Sequence, residues 1–267
     1  MTMLEAINAY LTRRGAATLA WLGGWGSLIV FAASALIHAL TPSTYNSATR
    51  SVVMKQIYFT AWQILPGFAL FAALLSYVII RIVVGTANDF GLSDYALETV
   101  IRVLVLELLP LITALFIALR SSAAINTEVA LMNVHNEIKA LEDLGVDPMQ
   151  LEFIPRVIGG TLSVLALSAV SGIIALLLAY LVVYGGHLWN YQAFALVASN
   201  IFDFSVILGL AIKVFLFGLA VTVIPISEGL RAPQKLFFVP IAVLRGMVRL
   251  FFVLMLIEVA SLAFKYI

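Results

Sequence analysis

Cysteine is absent from the 267 residues, which excludes a disulfide framework, a thiolate nucleophile and any sulfur-ligated zinc. Charge is scarce: Asp, Glu, Lys and Arg together make 11% of the chain, and the net charge is +1. The 15 basic residues are scattered, so no basic arm or stripe of the kind that grips nucleic acid exists. The three histidines, His38, His135 and His187, stand apart and form no His-Glu-x-x-His zinc motif. No Gly-x-x-x-x-Gly-Lys-(Ser/Thr) loop is present, so the chain has no phosphate cradle of that type for a nucleotide. No catalytic constellation, metal set or cofactor motif appears at recognisable spacing. The residues before Arg13-Arg14 mix Glu5 and Asn8 with apolar ones, and no cleaved signal peptide is expected.

Hydrophobic residues make 63% of the chain and the mean hydropathy is +1.09, leaving too little polar surface to clothe a water-soluble globule. A span needs about 20 apolar residues. Five stretches qualify: Ile57 to Val84, Thr99 to Leu119, Val157 to Tyr184, Phe204 to Ser227 and Gly246 to Phe264. A sixth, Gly15 to Leu40, is also free of charge. Cytoplasmic segments carry the excess of Lys and Arg, and this bias decides the count. With five spans and the amino terminus inside, only Arg81, Arg102 and Lys265 fall outside and Lys213 lies within a span, so the other eleven basic residues are cytoplasmic. Six spans give at best nine against five. The sixth stretch also holds Gly23, Gly24 and Gly26, which weaken a helix, with Trp21 and Trp25, which favour the headgroup level. The expected fold is therefore an all-α integral membrane protein. Residues 1–56 form an amino-terminal segment with an interfacial helix, and residues 57–267 form the five-span domain. The connections Gly85 to Glu98 and Gly185 to Asp203 are placed outside, the latter anchored by Trp189 and Tyr191.

Between the second and third spans, Leu131, Val134, Ile138 and Leu141 recur at spacings of three, four and three, with polar residues on the other faces. This predicts an amphipathic helix over Asn133 to Leu144, capped by Asn133 and ended by Gly145 and Pro148. Such a helix either couples to a partner outside the membrane or rests on the lipid surface. Glu107, Lys213 and Glu258 lie inside apolar stretches, where a lone charge costs at least about 2.5 kcal/mol. They need each other, water or a polar ligand. One reading makes them a coupled polar cluster on a substrate path, the other a static pair that fixes helix register. Arg81, Arg249 and Lys265, near span ends, are expected to snorkel, and Arg120 and Glu128 to pair or cap the elbow. A self-sufficient secondary transporter with these three residues as an ion relay is the alternative function, against which stand the odd span number and the absence of repeated halves.

The run Glu107-Leu-Leu-Pro110, Arg120 with the small residues Ser121 to Ala124, Glu128, Met132, Glu137, Ala140-Leu141-Glu142, Gly145-Val146-Asp147-Pro148 and Pro155-Arg156 resembles the signature block of MlaE-type permeases. Lys213, the turn Gly229-Leu-Arg-Ala232 and the acidic Glu258 also fall where that family has a Lys, a similar turn and an Asp. The resemblance implies a homodimeric permease core of an ABC transporter in the bacterial inner membrane. A separate ATPase subunit would dock on the helix after the second span through Val134, Glu137, Ile138, Leu141, Glu142 and Asp143. An MCE-domain protein would sit on the periplasmic face, a small cytoplasmic regulatory subunit would be a further partner, and phospholipid would pass along Glu107, Lys213 and Glu258. Pro110, Arg120, Glu128, Gly145, Asp147, Pro148, Pro155 and Arg156 would be motif residues that shape the fold. Leu106 replaces the family's Arg before Glu107, and Leu109, Leu119 and Ser122 replace glycines. Either Arg102, about one turn away, partly compensates Glu107, or Glu107 holds a proton.

Overall fold

Proline and glycine set where the helices widen, kink and stop. In the computed structural model, which describes residues 23–26, 28–39, 41, 47–185 and 190–266, four stretches are π-helical. Three of them, Tyr58–Trp62, Val100–Leu108 and Met149–Phe153, lie just before Pro66, Pro110 and Pro155. A proline has no N–H to donate and its ring crowds the preceding turn, so the helix widens there instead of breaking. The fourth, Ala118–Ser122, carries Arg120. Gly91 and Gly145 adopt φ of 72° and 73°, a left-handed geometry that costs glycine nothing, and each ends a helix. Arg13, Arg14, Trp21, His187 and Trp189 lie outside the described residues.

Among the described residues, five helices are long and apolar enough to cross a membrane, as expected: α1 (Thr49–Asp89), α2 (Ser93–Val134), α4 (Met149–Tyr184), α6 (Phe204–Leu230) and α7 (Leu236–Lys265). Two short ones join them, α3 (Glu137–Asp143) after α2 and α5 (Tyr191–Ile201) before α6. No strand occurs among the described residues. The spans outrun their apolar cores. From Arg102 to Arg120, α2 rises about 27 Å, close to a hydrocarbon thickness of about 30 Å. It then continues some 21 Å further to Val134 at 1.5 Å per residue. The segment between Arg120 and Asn133 is thus not a loop but the end of α2.

This extension alters the expected elbow. Asn133 does not cap a helix: its amide donates to the carbonyls of Leu230 (3.1 Å) and Ala232 (2.8 Å), stapling α2 to the turn between α6 and α7. Leu131 and Val134 belong to α2 and pack against Ala130, Ala232, Val239 and Ala242. The elbow helix starts only at Glu137, preceded by Asn136 in the left-handed region at φ 59°.

Packing is tightest at the elbow end. Gly160 of α4 abuts the Thr222 side chain of α6, and a Cβ on Gly218 would lie 2.8 Å from the Thr161 side chain, so the two helices touch through reciprocal Gly–Thr contacts. Gly229 and Gly246 close on Asn126 and Val129 of α2 in the same way, which puts α2, α6 and α7 at one depth there. The amino-terminal helical stretch, 23–26 and 28–39, meets that level twice. Trp25 lies 5.1 Å beneath the Arg249 guanidinium of α7. Ala35, fully buried, packs with Val129 and Phe153, and Phe31 meets Phe153 edge-on at 6.3 Å. The amino-terminal stretch thus touches α7 through Trp25 and α2 and α4 through Ala35 and Phe31.

Candidate functional site

Pro110 cannot donate to the carbonyl four residues back, so Leu106 O is left without its helical partner. Lys213 of α6 supplies one: its Nζ donates to Leu106 O at 2.8 Å. The same ammonium pairs with Glu107 Oε2 and lies 3.4 Å from Glu258 Oε2 of α7. Lys265 Nζ, at the far end of α7, holds Glu107 Oε1 at 2.8 Å. Glu107, Lys213 and Glu258, singled out in sequence by their cost in hydrocarbon, are therefore brought together, with Lys265 as a fourth member. Two ammonium groups meet two carboxylates, so the cluster is balanced when all four are charged. The Lys213 side chain is only 3% exposed. Arg102 does not compensate Glu107. Its guanidinium turns back to Glu98 at 2.7 Å, and Lys265, expected to snorkel, takes that role. The sequence held a signal for this, since a lysine that closes an apolar span must meet some partner, but not which one.

The cluster is not sealed. Glu107, Lys213, Lys265 and Arg102 line a cavity of about 880 Å³ whose other walls are mostly apolar residues of α6 and α7, among them Leu210, Leu216, Leu256 and Phe264, with Ser205 and Ser261. Gly209 borders it with no atom near its missing Cβ. Charged groups at one side of an apolar cleft suit a molecule that is itself polar at one end and apolar at the other.

A second buried ion cluster, unforeseen in sequence, sits at the elbow end. Glu228 is 2% exposed and pairs through Oε1 with Arg249 of α7, while Arg231 lies 3.8 Å from the same oxygen. Arg249, expected to snorkel, instead lies sandwiched between Glu228 and Trp25. An acidic residue in the last turn of an apolar run was the available signal. Next to it the proline device recurs: Pro225 frees Val221 O, and Ser122 Oγ donates to it at 2.5 Å.

The motif residues shape the elbow. Arg156 bridges Glu152 (2.5 Å) and Glu128 (3.3 Å), so Glu128 pairs with α4 rather than with Arg120. Arg120 is exposed and has no ion pair among the described residues. Asp147 Oδ1 accepts the Met149 N–H at 2.9 Å, which starts α4 just after Pro148, and Pro155 is buried in the first turn of its α-helical part. On α3, Ile138 packs inward against the cluster around Phe153, whereas Glu137, Glu142 and Asp143 face outward. Leu144, 78% exposed, projects beside them, while Leu141 is half-buried. The apolar stripe thus holds the elbow to the bundle, and the acidic side with Leu144 is what it offers outward. Among the described residues no group of His, Asp and Glu is arranged to hold a metal ion.

Residues 53–264 match the permease MlaE family. The chain is 27% identical over 223 residues to a probable ABC transporter permease protein of Rickettsia conorii, covering 80% of this chain and 82% of that one. It is similar at 26% over 219 residues, with the same coverage, to a probable ABC transporter permease protein of Rickettsia typhi. Over 105 residues, 38% of this chain and 40% of the other, it is 34% identical to the intermembrane phospholipid transport system permease protein MlaE of Haemophilus influenzae.

Proposed function

The chain belongs to the MlaE permease family, and we propose that it is the membrane permease of an ATP-driven phospholipid transporter, working as a homodimer and hydrolysing no ATP itself. The observation that carries this reading is the balanced cluster of Glu107, Lys213, Glu258 and Lys265 at the wall of an apolar cavity of about 880 Å³. A phospholipid is an amphiphile of the matching kind, with a charged head for the cluster and chains for the apolar walls. The relatives support it through what they are named for, ABC transporter permeases and a phospholipid transport permease.

In this reading the elbow end is cytoplasmic, because nine of the thirteen Lys and Arg among the described residues fall on that side. A separate ATPase subunit engages α3 there through Glu137, Glu142, Asp143 and Leu144, and Arg156 with its two glutamates braces α2 and α4, on either side of α3, against the load. An MCE-domain protein meets the opposite end, and a small regulatory subunit joins on the cytoplasmic side. Gentle purification of the full chain in mild detergent tests the assembly: an ATPase and an MCE-domain protein should co-purify. A clean single component that still moves lipid would overturn it in favour of a secondary transporter. The orientation is read separately with single cysteines in this cysteine-free chain. Asn136→Cys should resist, and Phe90→Cys should accept, an impermeant thiol reagent added to intact cells.

A further inference from the structure

The cations on the cavity wall are more numerous than the carboxylates beside them. Arg102, Lys213 and Lys265 line the space together with one acid, Glu107. The acids that balance the others stand back from it: Glu98 holds Arg102, and Glu258 lies behind Lys213 without lining the cavity. The three cations also differ in exposure. Lys213 is fixed by Leu106 O and two carboxylates and is 3% exposed. Lys265 and Arg102 have side chains 23% and 39% exposed. Lys265 shares Glu107 with Lys213, so Glu107 keeps a partner when Lys265 leaves. Arg102 sits about one helical turn beyond Glu107, toward the end of the bundle away from the elbow.

We propose that Lys265 and Arg102 form a phosphate clamp at the mouth of this cavity, so that the site takes amphiphiles carrying a phosphate and rejects neutral lipids with the same chains. Glu107 and Glu98 act as resting counter-ions. When a phosphate enters, each cation exchanges a carboxylate oxygen for a phosphate oxygen, and no charge is left bare in hydrocarbon. A diacylglycerol offers no oxyanion, so it gains no such exchange. The apolar walls of α6 and α7 take the chains, which commits the ligand to a lipid rather than a soluble phosphate ester. This inference rests on the proposed lipid-transport role and adds the headgroup chemistry and two residues outside the expected triad.

The test uses the full chain in detergent, incubated separately with dioleoyl phosphatidylglycerol, dioleoyl phosphatidylethanolamine, dioleoylglycerol and glycerol 3-phosphate, with bound ligand counted by native mass spectrometry. Both phospholipids should be retained roughly tenfold better than dioleoylglycerol, the size of one charge-assisted hydrogen bond, and glycerol 3-phosphate should not be retained. Lys265→Met and Arg102→Gln should each erase most of that preference. Glu98→Gln, which removes a competing carboxylate, should strengthen phospholipid retention, a gain that a purely structural ion pair would not give. Arg102 and Glu98 are exposed enough for their variants to fold should Lys265→Met fail to. Equal retention of dioleoylglycerol, or no response to Arg102→Gln and Glu98→Gln, overturns the clamp while leaving a lipid pocket intact. Binding of glycerol 3-phosphate as tight as that of the phospholipids overturns the lipid as ligand. If no lipid is retained and Gly209→Trp, which intrudes on the cavity, leaves lipid transport unchanged, the transport role of the site fails as well.

Discussion

The two ends of the bundle use one device for opposite purposes. At each, a proline frees a carbonyl inside a span, and a polar side chain from another helix fills it: Ser122 on Val221 O beside Pro225, and Lys213 on Leu106 O beside Pro110. At the elbow end the donor is a neutral hydroxyl, the neighbours are reciprocal Gly–Thr contacts, and the ion pair Glu228–Arg249 is enclosed by the amino-terminal helix. At the other end the donor is an ammonium, its partners are two acids, and the cluster opens on a cavity. A freed carbonyl in a membrane must be satisfied. A hydroxyl does this and locks the helices, whereas a charge does it and leaves an electrostatic site that a ligand can enter.

Breaking the enclosed pair should have the largest effect on stability. Arg249→Met leaves Glu228 buried without its closest partner, a change worth about 3–5 kcal/mol, and should lower the unfolding temperature sharply in detergent. Glu228→Gln added to Arg249→Met should recover part of the loss. If the single variant melts like the parent, the elbow end is not the rigid half.

Lys213→Met sharpens the contrast from the other side. It orphans Leu106 O and takes a cation from Glu258, but Glu107 keeps Lys265. The unsatisfied carbonyl costs about 1–3 kcal/mol and the buried Glu258, left without its cation, adds to that loss, with assembly retained and lipid transport lost. Normal transport at normal stability would remove Lys213 from the substrate path. Abolished assembly, rescued by Glu107→Gln with Glu258→Gln, would make the cluster structural.

Ser122→Ala tests the proline device itself. Leaving Val221 O unfilled should cost about 1–3 kcal/mol. Pro225→Ala in the same chain should restore the helical N–H and most of the stability, read by thermal unfolding. No rescue would mean that Ser122 matters through packing alone.

The smallest structural effect is expected on α3. Glu142→Lys with Asp143→Lys changes only exposed side chains, so stability should shift by no more than about 0.5 kcal/mol while ATPase co-purification falls. Ile138→Asp, on the inward stripe, should instead destabilise the fold. The reverse pattern would put the partner surface on the apolar stripe.

What the sequence determined by itself is what depends on local cost. Apolar length fixed five spans, basic residues singled out the amino-terminal stretch as different, and the price of a charge in hydrocarbon marked Glu107, Lys213 and Glu258 before any contact was known. Gly145 and Pro148 likewise announced the end of α3, because a left-handed turn and a missing N–H act on their own neighbours. The apolar spacing from Leu131 to Leu141 misplaced the elbow because periodicity continues smoothly through a helix end, and only the staple from Asn133 to Leu230 and Ala232 shows where α2 finishes. Pairing was decided by the tertiary structure alone. Whether Arg102 or Lys265 reaches Glu107, and whether Arg249 points to water or to Glu228, depends on how α2, α6 and α7 cross. Those three helices meet where Gly229 of α6 and Gly246 of α7 close on Asn126 of α2, contacts between residues far apart in the chain.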